Sequence, residues 1–286
     1  MVPMLLPGDV LAGECDDGTI VAEMQIPGAY QQLCMSLPSR TITLKSIGET
    51  VTVVQGAAED QSSGASNNSS VSGRTGVALW NSGILLSRLL DEIAIKESDF
   101  FKDKSVLELG CGVALSAIVA SKLGASEIVA TDGNEEVLKL AQRNLELNKV
   151  INNASSAVLK WGTLDTVDFF DSSNLVIGSD LTYNSGSWGV LAETLRDVLK
   201  TNGYFIYLTL GHAGFNVSSE LGGFLTLVES RGEIELVKEG SDAWPFKSIP
   251  SLDQLLLSSL SPKEREVVSS TGGFKTVVMR KRRKRR

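Results

Sequence analysis

Two stretches, "RTITLKSI" and "ETVTVVQ", alternate apolar and polar residues on either side of Gly48. Successive side chains of a strand point to opposite faces, so this alternation predicts a two-strand hairpin. "TGVALWNSGILLSRLLDEI" then carries apolar residues at helical spacing. From Lys104 onward short apolar runs alternate with helical segments. The runs "SVLELG", "SEIVATD", "SAVLKW", "NLVIGSD", "GYFIYLTLG", "EIELVKEG" and "FKTVVMRK" predict seven strands from Ser105 onward, with no internal repeat. Between them "ALSAIVASKLG", "NEEVLKLAQRNLELNK", "SWGVLAETLRDVLK" and "SSELGGFLTLVESRG" predict helices. Asn134 is placed as an N-cap with acidic residues after it, and Gly124 as a C-terminal stop. The segment from Ser251 to Leu260 has no assignment. Strands alternating with helices imply βαβ crossovers and a mostly parallel sheet with helices on both faces.

Two segments lack such a pattern: residues 1–20, and the Ser-, Gly- and Asn-rich stretch 56–74. The second buries too little apolar surface to order itself, and a flexible insert is expected. The organisation read from the chain is an N-terminal extension with a hairpin over 1–73, one domain over 74–279, and a basic tail over 280–286. The chain has 286 residues, 42% apolar and 21% charged, as in a soluble globular protein. No apolar run reaches the length of a membrane span, and the N-terminus does not resemble a signal peptide.

Charge is unevenly spread. The tail "RKRRKRR" holds seven basic residues, and taking these from a formal net charge of −7 leaves −14 on the rest. It reads either as a solvated, disordered end or as a nuclear-localisation or polyanion-contacting segment. No basic face is visible inside the fold, which argues against sequence-specific nucleic-acid reading. Cys15, Cys34 and Cys111 form an odd set without metal-ligand spacing, and His212 is the single histidine. A reducing compartment, cytoplasmic or nuclear, is expected, with no zinc site and no Ser-His-Asp chemistry. A monomer is expected.

In open sheets of this kind, ligands bind at the carboxyl ends of the strands. The first core strand ends "ELGCGVAL". Gly110 and Gly112 allow a sharp strand-to-helix turn and close approach of a ligand. The dinucleotide fingerprint requires a small residue where Leu115 stands, so that pattern fails, and a P-loop lysine is absent. Glu108 beside the glycines repels a pyrophosphate and suits a ligand bearing positive charge. Asp132 ends the second strand about 20 residues further on, where such folds hold a ribose diol. The plainer reading makes Asp132 a helix cap, a role Asn134 can fill. The fourth strand runs into Ser179, Asp180, Thr182 and Tyr183, polar groups that need partners at a strand end.

"VLELGCGVAL", "IVATD" and "NLVIGSDLTY" resemble the seven-strand S-adenosylmethionine-dependent methyltransferases, with a Rossmann-like fold. Within them the chain is similar to methyltransferase family 16, largely protein-lysine methyltransferases. The family pattern is a "TG…W" element, an E-x-G-x-G loop, an acid after the second strand, a Trp-Gly after the third and a D-x-x-Y after the fourth. Thr75-Gly76 and Trp80, Glu108 to Gly112, Asp132, Trp161-Gly162, and Asp180 to Tyr183 follow that order over residues 74–210. Ala114 departs from it, standing where a third glycine is common.

The resemblance implies S-adenosylmethionine as cofactor and a protein lysine as acceptor. Gly110, Cys111 and Gly112 would line its methionine part, with Glu108 near the cationic end. Asp132 would bind the ribose, Trp161 would pack near the adenine, Ser179 would join the adenosine pocket and Trp80 would close over it. Asp180 and Tyr183 would meet the acceptor. A lysine ammonium must lose its proton before attack, which costs about 4–5 kcal/mol at pH 7, and a water-poor aromatic pocket disfavours the charged form. Either tryptophan alternatively belongs to the core, and the Asp180–Tyr183 pair to a helix cap. A methyltransferase for a small amine or another protein side chain stays open, as does a non-catalytic binding module.

Overall fold

The computed structural model describes residues 37–56, 76–211, 217–270 and 272–283. Strands β1 (Ser39–Leu44) and β2 (Glu49–Val54) form the expected antiparallel hairpin. Helix α1 (Asn81–Lys96) follows, and then the alternating region: β3 (Ser105–Leu109), α2 (Leu115–Lys122), β4 (Glu127–Asp132), α3 (Glu135–Leu147), β5 (Ala154–Val158) and β6 (Ser173–Ser179). The chain continues through α4 (Trp188–Val198), β7 (Leu199–Leu210), α5 (Val217–Arg231), β8 (Ile234–Leu236), α6 (Leu252–Ser259), α7 (Pro262–Ser270) and β9 (Phe274–Lys281).

The large sheet has seven strands in the order β5-β4-β3-β6-β7-β9-β8. β3 pairs in parallel with β4 and β6, and β9 runs antiparallel to both β7 and β8. The expected fold is therefore present. The middles of the central strands are mostly apolar because both sheet faces are covered. In β7, Ile206 and Leu208 enter the core shared with α1, α2 and α3, while Phe205 and Tyr207 enter the core under α4 and α5.

The hairpin is part of the same body. Ile42, Leu44, Val51 and Val53 lie in the larger core. Two asparagines one helical turn apart act as a substitute strand for β2. Asn144 accepts from Val54 N at 2.8 Å and donates to Val54 O at 3.0 Å, and Asn148 does the same for Thr52 at 3.0 and 2.7 Å. Asp91 of α1 receives the backbone N–H groups of Lys45 and Ser46 at the hairpin turn.

Some boundaries differ from expectation. β5 ends at Val158, which leaves Lys160 and Trp161 to the following turn. β8 shrinks to three residues. α6 fills the unassigned stretch, and α7 follows it unforeseen. β9 coincides with the expected strand "FKTVVMRK" and so takes in the first two residues of the expected tail. Arg280 sits opposite Tyr204 in the ladder, and its guanidinium and that of Arg282 both hold Glu235. The 56–74 insert lies almost wholly outside the described residues, as do residues 1–20, Cys15, Cys34, Thr75, His212 and residues 284–286.

Candidate active site

Strand order reverses between β3 and β6, so the connections leaving these two strands diverge and open a crevice at their carboxyl ends. A cleft of roughly 1160 Å³ lies there. All ten residues singled out from the sequence line it: Trp80, Glu108, Gly110, Cys111, Gly112, Asp132, Trp161, Ser179, Asp180 and Tyr183.

The loop after β3 is tightly wound. Gly110 and Gly112 hold φ of +61° and +50°, where a side chain is strained. A Cβ on Gly110 would lie 2.8 Å from Leu181 of the turn after β6, and one on Gly112 would lie 3.1 Å from the Gly76 carbonyl. The loop is thus wedged between the turn that carries Asp180 and the segment before α1. Ala114 also sits in the left-handed region at φ +63°, so the missing third glycine has a cost of about 1–2 kcal/mol.

Ala114 is the N-cap of α2 and has no side chain to cap with. Glu108 takes over that task from the end of β3. Its Oε2 accepts the Ala117 N–H at 2.9 Å. The side chain is buried, and burial pushes its carboxyl up to about 8 against the Ala117 and Ser116 hydrogen bonds, which pull it down. Burial therefore favours the protonated form of Glu108, and a positive charge entering beside it favours the carboxylate.

Asp132 ends β4. Its Oδ2 accepts Gly112 N–H at 3.3 Å and its Oδ1 accepts Asn134 N–H at 3.0 Å, which ties the glycine loop to the strand end. Burial raises its carboxyl despite these bonds. Asn134 caps α3 through Glu136 and Val137 N–H, so Asp132 is not the cap. The Gly133 N–H also lies on this carboxylate, which as an acceptor group at the cleft suits a ribose hydroxyl. The Cys111 N–H is engaged by Thr131 O at 2.8 Å, and burial with Glu108 and Asp132 nearby pushes its thiol up, which leaves no reactive thiolate.

Trp80 stands one residue before α1 with an extended backbone, so it belongs to the cleft mouth rather than to the helix. Trp161 lies on the turn after β5, within 3.9 Å of a Cβ built on Gly110. Among the lining residues, the acidic residues Glu108, Asp132, Glu135, Glu136, Asp180 and Glu220 face one basic residue, Lys160. That balance favours ligands bearing positive charge.

Ser179 closes β6, and Asp180 begins the turn at φ +57°. Tyr183 stands 59% exposed at the rim rather than enclosed as a pocket wall, and partial burial with Asp180 and Asp132 nearby raises its hydroxyl. Sequence reasoning missed what supports this turn from behind. The buried Tyr207 hydroxyl accepts Leu181 N–H at 2.9 Å and Thr182 N–H at 3.1 Å. Trp188 Nε1 donates to Thr182 O at 2.8 Å. The available signal was a tyrosine inside the apolar run "YFIYLTL", since a buried phenol needs a partner.

A family described as lysine methyltransferase matches residues 61–217. The chain is 33% identical over 139 residues to protein-lysine N-methyltransferase EFM3 of Chaetomium thermophilum, covering 46% of this chain and 40% of that one. It is 32% identical over 167 residues to protein N-terminal and lysine N-methyltransferase EFM7 of Candida glabrata, covering 54% and 62%. It is also 32% identical over 104 residues to calmodulin-lysine N-methyltransferase of Arabidopsis thaliana, covering 35% and 34%. The chain thus spans between about a third and three fifths of the length of these relatives.

Proposed function

Because this chain belongs to the lysine methyltransferase family, we propose that it transfers a methyl group from S-adenosylmethionine to a lysine side chain of a protein. The observation that carries this reading is the composition of the cleft, with six acidic residues, two tryptophans and a glycine-walled loop at the strand ends. The residues fit the cofactor. Asp132 suits a ribose diol, Trp161 and Leu159 offer apolar surface to a base, and Glu108 with its neighbours suits an ammonium and a sulfonium. When bound, the cofactor supplies an electrophilic methyl on positively charged sulfur.

The chain's own contribution is placement and proton control. Positioning a nucleophile against an electrophile accounts for much of the barrier lowering in a two-reactant displacement. Asp180 presents a carboxylate to orient the incoming amine, and Tyr183 offers an aromatic face to the cation as it arrives. The amine must shed its proton before its lone pair can attack. Closure of the exposed Tyr183 rim by the substrate protein provides the drier surroundings that favour the neutral form.

The test separates binding from transfer. Asp180→Asn retains side-chain shape and tolerates the left-handed backbone. It should bind S-adenosylhomocysteine within about threefold of wild type by calorimetry while transferring labelled methyl to extract protein roughly a hundredfold more slowly. Equal loss of binding and transfer would place Asp180 in the cofactor pocket and overturn its acceptor role.

A further inference from the structure

We propose that Tyr207 and Thr209 of β7 are positioning residues that hold the turn carrying Asp180 in its reactive shape, an inference resting on the methyl-transfer reading above. The two lie two residues apart on one strand and so share a face. Both are buried. From that face they reach across to the neighbouring strand's exit.

The turn is anchored to β7 by five hydrogen bonds. Asp180 N–H donates to Leu208 O at 2.9 Å and extends the β6–β7 ladder by one residue. Thr209 Oγ1 donates to Asp180 Oδ1 at 3.2 Å. Leu181 and Thr182 N–H both donate to the Tyr207 hydroxyl. A phenol oxygen has two acceptor positions, and these two N–H groups occupy them, so the Tyr207 O–H donates onward to Thr182 Oγ1 at 3.0 Å. The hydroxyl is fully used, and no other described side chain binds those two N–H groups.

This explains how a non-glycine residue holds φ +57° at the mouth of the site. A left-handed aspartate persists where its surroundings over-determine it, and β7 supplies that constraint. Loss of the Tyr207 hydroxyl leaves two buried N–H groups unpaired, so the turn relaxes and the Asp180 carboxylate moves off line. Glu108 is held by Ala117 and Asp132 by Gly112 and Asn134, and the glycine loop meets this turn only at the Leu181 side chain, so cofactor binding falls far less than transfer.

The experiment is a double-mutant cycle on the full chain. Labelled S-adenosylmethionine and dialysed cell extract are the transfer probe, and S-adenosylhomocysteine is the binding probe. Tyr207→Phe should slow transfer by roughly tenfold to a hundredfold with the dissociation constant within about threefold. In an Asp180→Asn background the same substitution should cost less than about threefold, because its effect runs through that carboxylate. A general packing defect would give equal losses in both backgrounds, and that result overturns the proposal. If Tyr207→Phe does not fold, Thr209→Val carries the test, since it keeps the side-chain shape and removes the hydroxyl that binds Asp180 and adjoins the Tyr207 hydroxyl, and the same dependence on background is expected. An active wild type matched by both variants overturns this inference alone. A wild type that transfers nothing overturns the methyl-transfer reading and this role with it.

Discussion

Glu108→Gln separates the stability of this fold from its chemistry. The wild-type carboxyl rises from an ordinary 4.5 to about 8 on folding, so the native state holds its proton more tightly than the unfolded chain. Stability from this group is fully present below pH 4.5 and is lost as pH rises toward 8, because only the unfolded chain ionises in that window. Each unit is worth about 1.4 kcal/mol, so the deficit is roughly 3 kcal/mol at pH 7 and levels near 5 kcal/mol above pH 8. Glutamine keeps an acceptor for the Ala117 N–H and has no proton to lose. The variant should match wild type near pH 4.5 and become progressively more stable as pH rises, read as the difference between urea midpoints from pH 4.5 to 8.5. The same change should weaken S-adenosylmethionine binding, since a neutral amide cannot ionise to meet a cation. A stability difference that stays flat with pH would refute the reasoning, because burial of a protonatable acid would then not be what shapes this strand end.

Asp132→Ala should weaken S-adenosylhomocysteine binding by roughly tenfold or more in calorimetry, as expected for loss of a charged hydrogen-bond partner, and unaltered affinity would remove it from the ribose site. Asn144→Leu should lower stability by roughly 3 kcal/mol in denaturant titrations, since it strands the Val54 N–H and the carbonyls of Val54 and Val113. An unchanged midpoint would mean that the hairpin is not held by that amide. Gly76→Ala should cost about 1–3 kcal/mol because the new Cβ would lie 2.7 Å from Val137 Cγ2, and a second change, Val137→Ala, should recover part of the melting temperature.

Much of this arrangement was legible in the sequence because the physics is local. Apolar runs such as "LVIG" mark strands buried on both faces, and Asn134 followed by two glutamates marks a helix start that the structure reproduces. α7 begins with "SPKE", a capping box in which Ser261 and Glu264 exchange hydrogen bonds, yet its apolar stripe is too thin to announce a helix. Trp161 falls outside its strand, which ends at Val158, and lies just before Gly162, whose φ of +74° and closeness to Val190 far along the sequence leave no room for a side chain. The cleft residues could be named one by one, since strand ends in this topology converge. Their supports could not. That Glu108 caps a helix whose own cap is an alanine, and that Tyr207 holds the Asp180 turn, depend on which strands become neighbours.

The central claim is that this cleft moves a methyl group onto lysine. Purified chain incubated with methyl-labelled S-adenosylmethionine and dialysed cell extract, followed by mass spectrometric location of the label, tests it most directly. The account predicts label on the side-chain nitrogen of a lysine in one or a few proteins, lost roughly a hundredfold with Asp180→Asn. Label confined to small amines, to protein N-termini or to other side chains, or no transfer from a protein that binds the cofactor, would contradict it.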